Sequence, residues 1–136
     1  MIVLDASVLV SAAFRPGSVP DQAVRHAVLT DQVAVSELVM AELLDVLYRP
    51  RIARFIDPEQ RAELLDLLDT LGIVVVPTTP VADCRDPKDD KYLELALASG
   101  AGVLVSSDND LLVLHPWRGV RILRPAEYLA EAEERG

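Results

Sequence analysis

The chain has 136 residues, of which 51% are hydrophobic and 4% aromatic, and its formal net charge is −9. This length fits one domain, and the hydrophobic fraction excludes an intrinsically disordered chain. The acidic balance excludes a protein that holds nucleic acid with an overall positive surface, but it allows a nucleic-acid enzyme in which bound cations offset an acidic site.

The first residues and the cysteine content indicate where the protein works. We expect no secretory leader in the N-terminal segment, because it lacks positive charge and Asp5 interrupts its apolar run. No apolar stretch approaches the roughly 20 residues that span a bilayer. The single cysteine, Cys84, permits no internal disulfide and offers no metal-site spacing. We therefore expect a soluble, cytoplasmic protein in a reducing compartment.

Short apolar runs predict the strands. Four of them are aliphatic without clean alternation, which is typical of strands buried on both faces of a sheet, and a fifth is weaker. In chain order the runs are 2–4, 33–35, 73–76, 103–105 and, as the weaker one, 120–123.

Between these runs, the apolar residues recur with the spacing of a helix. This spacing predicts helices over 38–47, over 64–71 and around Leu93, then a short helix over 109–114 and a polar helix at Tyr128. Strands that alternate with helices imply right-handed crossovers and a parallel sheet covered on both faces. Without a repeat or a linker, the chain is predicted to be one domain over 1–136 whose charged tail, 131–136, frays.

Carboxylates follow the predicted strands at the edge where a parallel α/β sheet carries its functional crevice. Asp5 follows the first run, Glu42 lies on the helix after the second, Asp108 follows the fourth, and several acids occupy the loop 83–90. Such acids repel one another when they converge, and they resist ionising without a cation. Their hard oxygens suit Mg²⁺ or Mn²⁺, and carboxylates that hold these ions are the usual apparatus of phosphodiester hydrolysis.

Each acid also has a structural interpretation. Asp5 and Asp108 can cap helices, and the acids that open the third helix favour its dipole. Glu42 falls among apolar residues, where a carboxylate is costly unless it is paired or metal-bound, although its head group can also reach water at a rim. His26 and His115 are poorly placed for a zinc site.

Four segments, in this order, resemble the PIN domain nucleases, and among them the toxin components of prokaryotic toxin–antitoxin systems akin to VapC. The segments read DASVLVS from Asp5, LVMAELL around Glu42, CRDPKDDKYL from Cys84 and VLVSSDNDLL from Val103. Each motif alone is weak, but the ordered set covers the chain from Met1 to about residue 125.

The resemblance implies a three-layer, Rossmann-like α/β fold with a parallel sheet of about five strands in the order 3-2-1-4-5. It implies an endoribonuclease that uses Mg²⁺ or Mn²⁺ to activate water. The implied catalytic and metal-binding residues are Asp5, Glu42, Asp90 and Asp108, with support from Ser7, Asp89, Ser106 and Asp110.

Two features limit this assignment of residues. The adjacent Asp89 and Asp90 leave the register open by one residue, and Asp90 is preferred because Asp90-Lys-Tyr-Leu has the family's acid-x-x-aliphatic spacing. Ser106 stands where many relatives have threonine and keeps the hydroxyl group, whereas Ser107 replaces a common glycine and changes the loop.

The same resemblance implies partners. A small antitoxin is expected to block the site with an arginine or lysine, and a homodimer is expected through the helical layer of 38–47 or 64–71. For RNA contacts the candidates are the basic residues Arg49, Arg51, Arg54 and Lys88, with Arg15, Arg85 and Lys91 as further ones. A solvated helix end explains the patch at 49–54 equally well.

Other phosphate-handling folds fit less well. A receiver domain needs an acceptor aspartate after the third strand, where the chain has Val76-Pro77-Thr78. A haloacid-dehalogenase-like phosphatase needs Asp-x-Asp after the first strand, where it has Asp5-Ala6-Ser7, and no glycine-rich phosphate loop is present. A non-catalytic module of the PIN fold that binds RNA or a partner stays open as the alternative.

Overall fold

The computed structural model describes residues 1–135, and in this range the chain forms a parallel sheet with helices on both faces. The strands are β1 (Ile2–Leu4), β2 (Ala34–Val35), β3 (Ile73–Val74), β4 (Val103–Val105) and β5 (Arg121–Leu123). β4 pairs with β1 and β5, β2 pairs with β3, and a parallel bridge between Ile2 and Val33 joins the two ladders. The predicted strand order 3-2-1-4-5 and the α/β fold are confirmed.

The helices alternate with the strands as predicted. They are α1 (Ala6–Phe14), α2 (Val19–Thr30), α3 (Glu37–Leu47), α4 (Pro50–Ala53), α5 (Pro58–Leu71), α6 (Asp90–Ser99), α7 (Asn109–Leu112) and α8 (Pro125–Arg135). Asp5, Ser36 and Asp108 follow strands and accept backbone amides in the first turns of α1, α3 and α7. These caps therefore stand at the carboxyl edge of the sheet.

The sheet separates two hydrophobic cores. Along β1, Ile2 and Leu4 face a core formed with α1, α2 and α5, whereas Val3 faces a core formed with α6. β4 alternates in the same way, with Leu104 on the side of α6. The central strands are thus buried on both faces, which explains their continuous apolar sequences.

β3 differs from the prediction of a strand over 73–76 that is buried on both faces. Val74 is 74% exposed and Val76 76% exposed, although Val75 still donates to the Val35 carbonyl at 2.8 Å. The prediction was wrong for β3 because this strand lies at the edge of the sheet, where its outer side has no neighbouring strand among residues 1–135.

The C-terminal helix packs back on the sheet. Arg121 of β5 forms a two-pronged ion pair with Glu131 of α8, and α8 continues to Arg135. The fraying of 131–136 stays a prediction, and Gly136 lies outside the described residues. None of the helices within 1–135 combines the length and the apolar character needed to cross a membrane.

Candidate active site

The ends of β1 and β4 bring Asp5 and Asp108 into one hydrogen-bonded chain. The Asp5 amide donates to the Val105 carbonyl at 3.1 Å, which fixes the start of α1 beside the end of β4. The Ser106 hydroxyl donates to Asp5 Oδ2 and accepts the Asp108 amide at 2.9 Å. Ser106 is fully buried, so this link is shielded from solvent.

Asp5 is both a helix cap and a buried carboxylate. Its Oδ1 accepts the Ser7 hydroxyl at 2.6 Å and the Val8 amide at 3.1 Å. Burial raises the pKa of Asp5 to about 6, although these hydrogen bonds and that of Ser106 act to lower it. The negative charge of Asp108 adds to the rise. The capping and functional interpretations of Asp5 are therefore compatible.

Asp89 enters the cluster from the 3-10 turn Pro87–Asp89 that precedes α6. Burial raises the pKa of Asp89 to about 7, and its hydrogen bond with the Asp108 carboxyl group and the charges of Asp108, Asp86 and Glu42 act in the same direction. Its Oδ2 atom is buried and receives no donor from residues 1–135. An ionised Asp89 consequently has no hydrogen bond to this oxygen from residues 1–135.

Asp90 has a different environment. It is buried, and its Oδ1 accepts the Cys84 amide at 2.9 Å, which ties the loop 84–89 to the start of α6. Of the two adjacent acids, Asp89 is the one that lies against Asp108. The contacts thus place Asp89 against Asp108 and Asp90 against the loop backbone, and the assignment of Asp90 as the site acid stays a prediction.

Glu42 reaches the cluster from α3 with both oxygens engaged. The Tyr92 hydroxyl donates to Oε1, and the Lys91 ammonium group pairs with Oε2 at 2.6 Å. The Tyr92 hydroxyl also accepts the Ala6 amide at 3.2 Å, so it connects α6, α3 and the start of α1. Burial and the hydrogen bond to Glu42 raise the pKa of Tyr92. The sequence analysis did not identify Tyr92 as a site residue. A tyrosine that follows Asp89 and Asp90 in the chain gives no indication that its hydroxyl group contacts Glu42.

A second group of acids lies on the outer side of Asp89. One oxygen from each of Asp86, Asp89 and Asp110 lies within 4.8 Å of the others. Asp110 is paired with the Arg85 guanidinium group at 2.7 Å, and Asp86 accepts the Lys88 amide at 3.0 Å. Arg85 thus offsets part of the outer charge, whereas Asp5 on the inner side of the cluster is buried.

The donor set fits a hard divalent cation. Carboxylate oxygens are the preferred ligands of Mg²⁺ and Mn²⁺. Asp89 presents a buried oxygen that lacks a donor among residues 1–135. Burial first, and neighbouring carboxylates second, raise the pKa of Asp5 and of Asp89, and a bound cation would favour the ionised form of both groups.

The other predicted site residues lie outside this cluster or at its rim. Ser7 accepts the Ser107 amide at 3.3 Å, so it ties the loop after β4 to α1.

Arg49 pairs with Asp45, and the Arg54 guanidinium group lies 4.7 Å from the ring centre of Phe55. Arg51 and Lys88 are exposed. Their role in RNA binding stays a prediction.

The two histidines, which the sequence analysis judged poorly placed for a zinc site, make contacts away from the acidic cluster. The His115 ring accepts the Ile122 amide at 2.9 Å, and the His26 ring packs edge-on against Tyr128 with 5.7 Å between ring centres. Trp117 donates its indole N–H to Asp83 at 2.8 Å, and this hydrogen bond holds the segment just before the loop 84–89.

Comparison with known proteins supports one fold family. A family model for the PIN domain matches residues 1–110. An uncharacterized protein of Methanocaldococcus jannaschii is 22% identical over 144 aligned residues, which cover 98% of this chain and 92% of the relative. The chain is thus similar to this relative over nearly the full length of both.

Two solved structures have the same fold. The VapBC2 complex of Rickettsia felis, bound to a DNA fragment from its promoter, superposes with a TM-score of 0.59 and 15% identity over 91% of this chain and 98% of that chain. A protein of Pyrobaculum aerophilum superposes with a TM-score of 0.61 and 22% identity over 97% and 89% of the two chains. At these identities the likeness establishes the fold.

Proposed function

The chain belongs to the PIN domain family, whose members are generally nucleases, and on this basis we propose that it is an endoribonuclease that hydrolyses RNA with Mg²⁺ or Mn²⁺. The observation that carries the proposal is the convergence of Asp5, Glu42, Asp89 and Asp108 at the carboxyl edge of the sheet, with one buried oxygen of Asp89 lacking a donor among residues 1–135.

The proposed metal ligands are Asp5, Asp89 and Asp108, and Glu42 stands beside them. A bound divalent ion supplies the charge that activates water and stabilises the phosphate group during hydrolysis. The raised pKa values of Asp5 and Asp89 mean that both carboxyl groups compete for protons near neutral pH when no ion is bound.

The chain's own hydrogen bonds orient these ligands. Ser7, Val8 and Ser106 hold both oxygens of Asp5, and Ser106 also holds the Asp108 backbone. Carboxylates held in this way lose little further freedom when a cation binds, which favours a well-defined site. Ser7 and Ser106 are accordingly proposed as positioning residues.

We further propose that the protein is the toxin of a toxin–antitoxin pair. Its fold likeness to the VapBC2 complex supports a small antitoxin as partner. A homodimer is proposed through α3, where Leu38 is 64% exposed and Leu44 43% exposed. A monomer at every concentration tested by light scattering would remove the dimer from this proposal.

The test of the proposed activity combines metal binding with RNA cleavage. Calorimetric titration of Mn²⁺ and cleavage of a mixed RNA substrate are measured for the wild type, for Asp108→Asn and for Asp69→Asn, an exposed acid on α5. We expect the wild type and Asp69→Asn to bind the ion and cut RNA, and Asp108→Asn to do neither. A wild type that binds no ion at millimolar concentration and leaves RNA intact would favour a non-catalytic binding module.

A further inference from the structure

Lys91 is a lysine built into an acidic site. Its side chain is only 15% exposed, and its ammonium group lies 2.6 Å from Glu42 Oε2. The same group donates to the Lys88 carbonyl and lies 5.5 Å from the centre of the Tyr92 ring. These contacts hold the ammonium group against the protein, so Lys91 does not extend into solvent.

Glu42 is therefore the acid of the cluster that already has a cation. Its second oxygen accepts the Tyr92 hydroxyl, whose other contact is the Ala6 amide. By contrast, Asp89 has a buried oxygen without a donor among residues 1–135, and Asp5 and Asp108 receive only neutral donors there. The carboxylates that a bound cation would neutralise are therefore those of Asp5, Asp89 and Asp108.

We propose that the Lys91 ammonium group takes the place of a second cation at Glu42, so that the site binds one divalent ion through Asp5, Asp89 and Asp108. Where nucleases use two ions, these lie roughly 3.5–4 Å apart and share carboxylates. A divalent ion on Glu42 Oε2 would have to bind at about 2.0–2.1 Å from an oxygen that the ammonium group already occupies, and the two positive charges would repel.

This inference rests on the proposed metal dependence, and its test separates the two. Mn²⁺ is titrated into the metal-free full-length protein, and the number of bound ions is measured by calorimetry for the wild type, Lys91→Met and Lys91→Arg. Electron paramagnetic resonance then detects whether two Mn²⁺ ions lie close enough for their spins to couple.

We expect one ion in the wild type and in Lys91→Arg, which keeps the charge, and two spin-coupled ions in Lys91→Met. Two ions in the wild type, or one ion in Lys91→Met at unchanged affinity, would overturn the inference and leave the nuclease proposal standing. Absence of Mn²⁺ binding in all three proteins would overturn both.

A second variant keeps the inference testable if Lys91→Met does not fold. Glu42→Gln removes the partner of Lys91 but none of the three proposed ligands, so it should still bind one ion with an affinity within about tenfold of the wild type. Loss of all Mn²⁺ binding in a folded Glu42→Gln protein would show that Glu42 itself holds the ion, and the role given to Lys91 would be wrong.

Discussion

The Ser106 hydroxyl donates to Asp5 Oδ2 across a separation of 101 residues in the chain. This contact joins the ends of β1 and β4, and the same hydroxyl accepts the Asp108 amide. One buried serine thus orients one proposed metal ligand and the backbone of another. The position of both acids depends on strand pairing, since Leu4 lies opposite Val105 in the register that precedes them.

Removal of the Ser106 hydroxyl should disturb both acids. Ser106→Ala leaves Asp5 Oδ2 and the Asp108 amide without this partner, at a cost of about 1–3 kcal/mol in the free energy of unfolding. It should also raise the pKa of Asp5 further, because the serine acts to lower it, and it should weaken Mn²⁺ binding. Ser106→Thr keeps the hydroxyl and should retain binding and cleavage. Equal behaviour of the two variants in denaturant unfolding and in calorimetry would contradict this role.

The choice between Asp89 and Asp90 can be decided with matched substitutions. Asp89→Asn removes a carboxylate that lies against Asp108 and should lower Mn²⁺ affinity and cleavage at least about 100-fold. Asp90→Asn keeps an oxygen that can accept the Cys84 amide, so affinity and cleavage should change little. The reverse order of effects, measured by titration and by initial cleavage rates, would restore Asp90 as the ligand.

The metal-free protein should lose stability as the pH rises. Folding raises the pKa of Asp5 from 3.8 to about 6, so the contribution of this group is complete below pH 3.8 and is lost by about pH 6. The change amounts to about 3 kcal/mol in the free energy of unfolding. Asp89 acts in the same direction up to about pH 7.

Asp5→Asn provides the control for this pH dependence. Because the variant cannot ionise at this position, its stability relative to the wild type should increase between pH 4 and pH 7.5 when both are unfolded by urea in the presence of EDTA. Parallel pH profiles for the two proteins would show that the burial of Asp5 carries no such cost.

The basic patch at 49–54 makes a separate prediction about RNA. In the background of Asp108→Asn, which should bind RNA without cutting it, Arg51→Ala and Arg54→Ala should each weaken RNA binding several-fold. Each should also reduce the slope of log affinity against log salt by about one. Arg124→Ala, which removes an arginine near Glu127 on α8, serves as the control. Unchanged affinity in the first two variants would favour a solvated helix end.

Sequence patterns were sufficient to predict the sheet and the approach of the acids to one edge. Buried parallel strands give continuous aliphatic runs, and three of these runs lead directly into Asp5, into Ser36 before Glu42, and into Ser106 before Asp108. The prediction failed for β3, which is apolar in sequence but exposed. A strand at the edge of the sheet can be as apolar as an interior strand even when helices cover only one of its faces.

The contacts within the site could not be predicted in the same way. Asp89 and Asp90 are adjacent, and the 3-10 turn before α6 decides which of them faces Asp108. In the helix that follows, each residue turns the side chain by about 100°. The partners of Glu42 depend on how α3 and α6 cross, so neither Tyr92 nor the pairing of Lys91 leaves a trace in the spacing.

Trp117 is the only tryptophan of the chain, and it is buried with its indole hydrogen-bonded to Asp83, just before the loop that carries Asp86 and Asp89. Intrinsic fluorescence excited at the tryptophan band therefore reports on one place, next to the acidic cluster. The emission of the unlabelled protein can follow cation binding and loop rearrangement in real time, and no dye or added chromophore is needed.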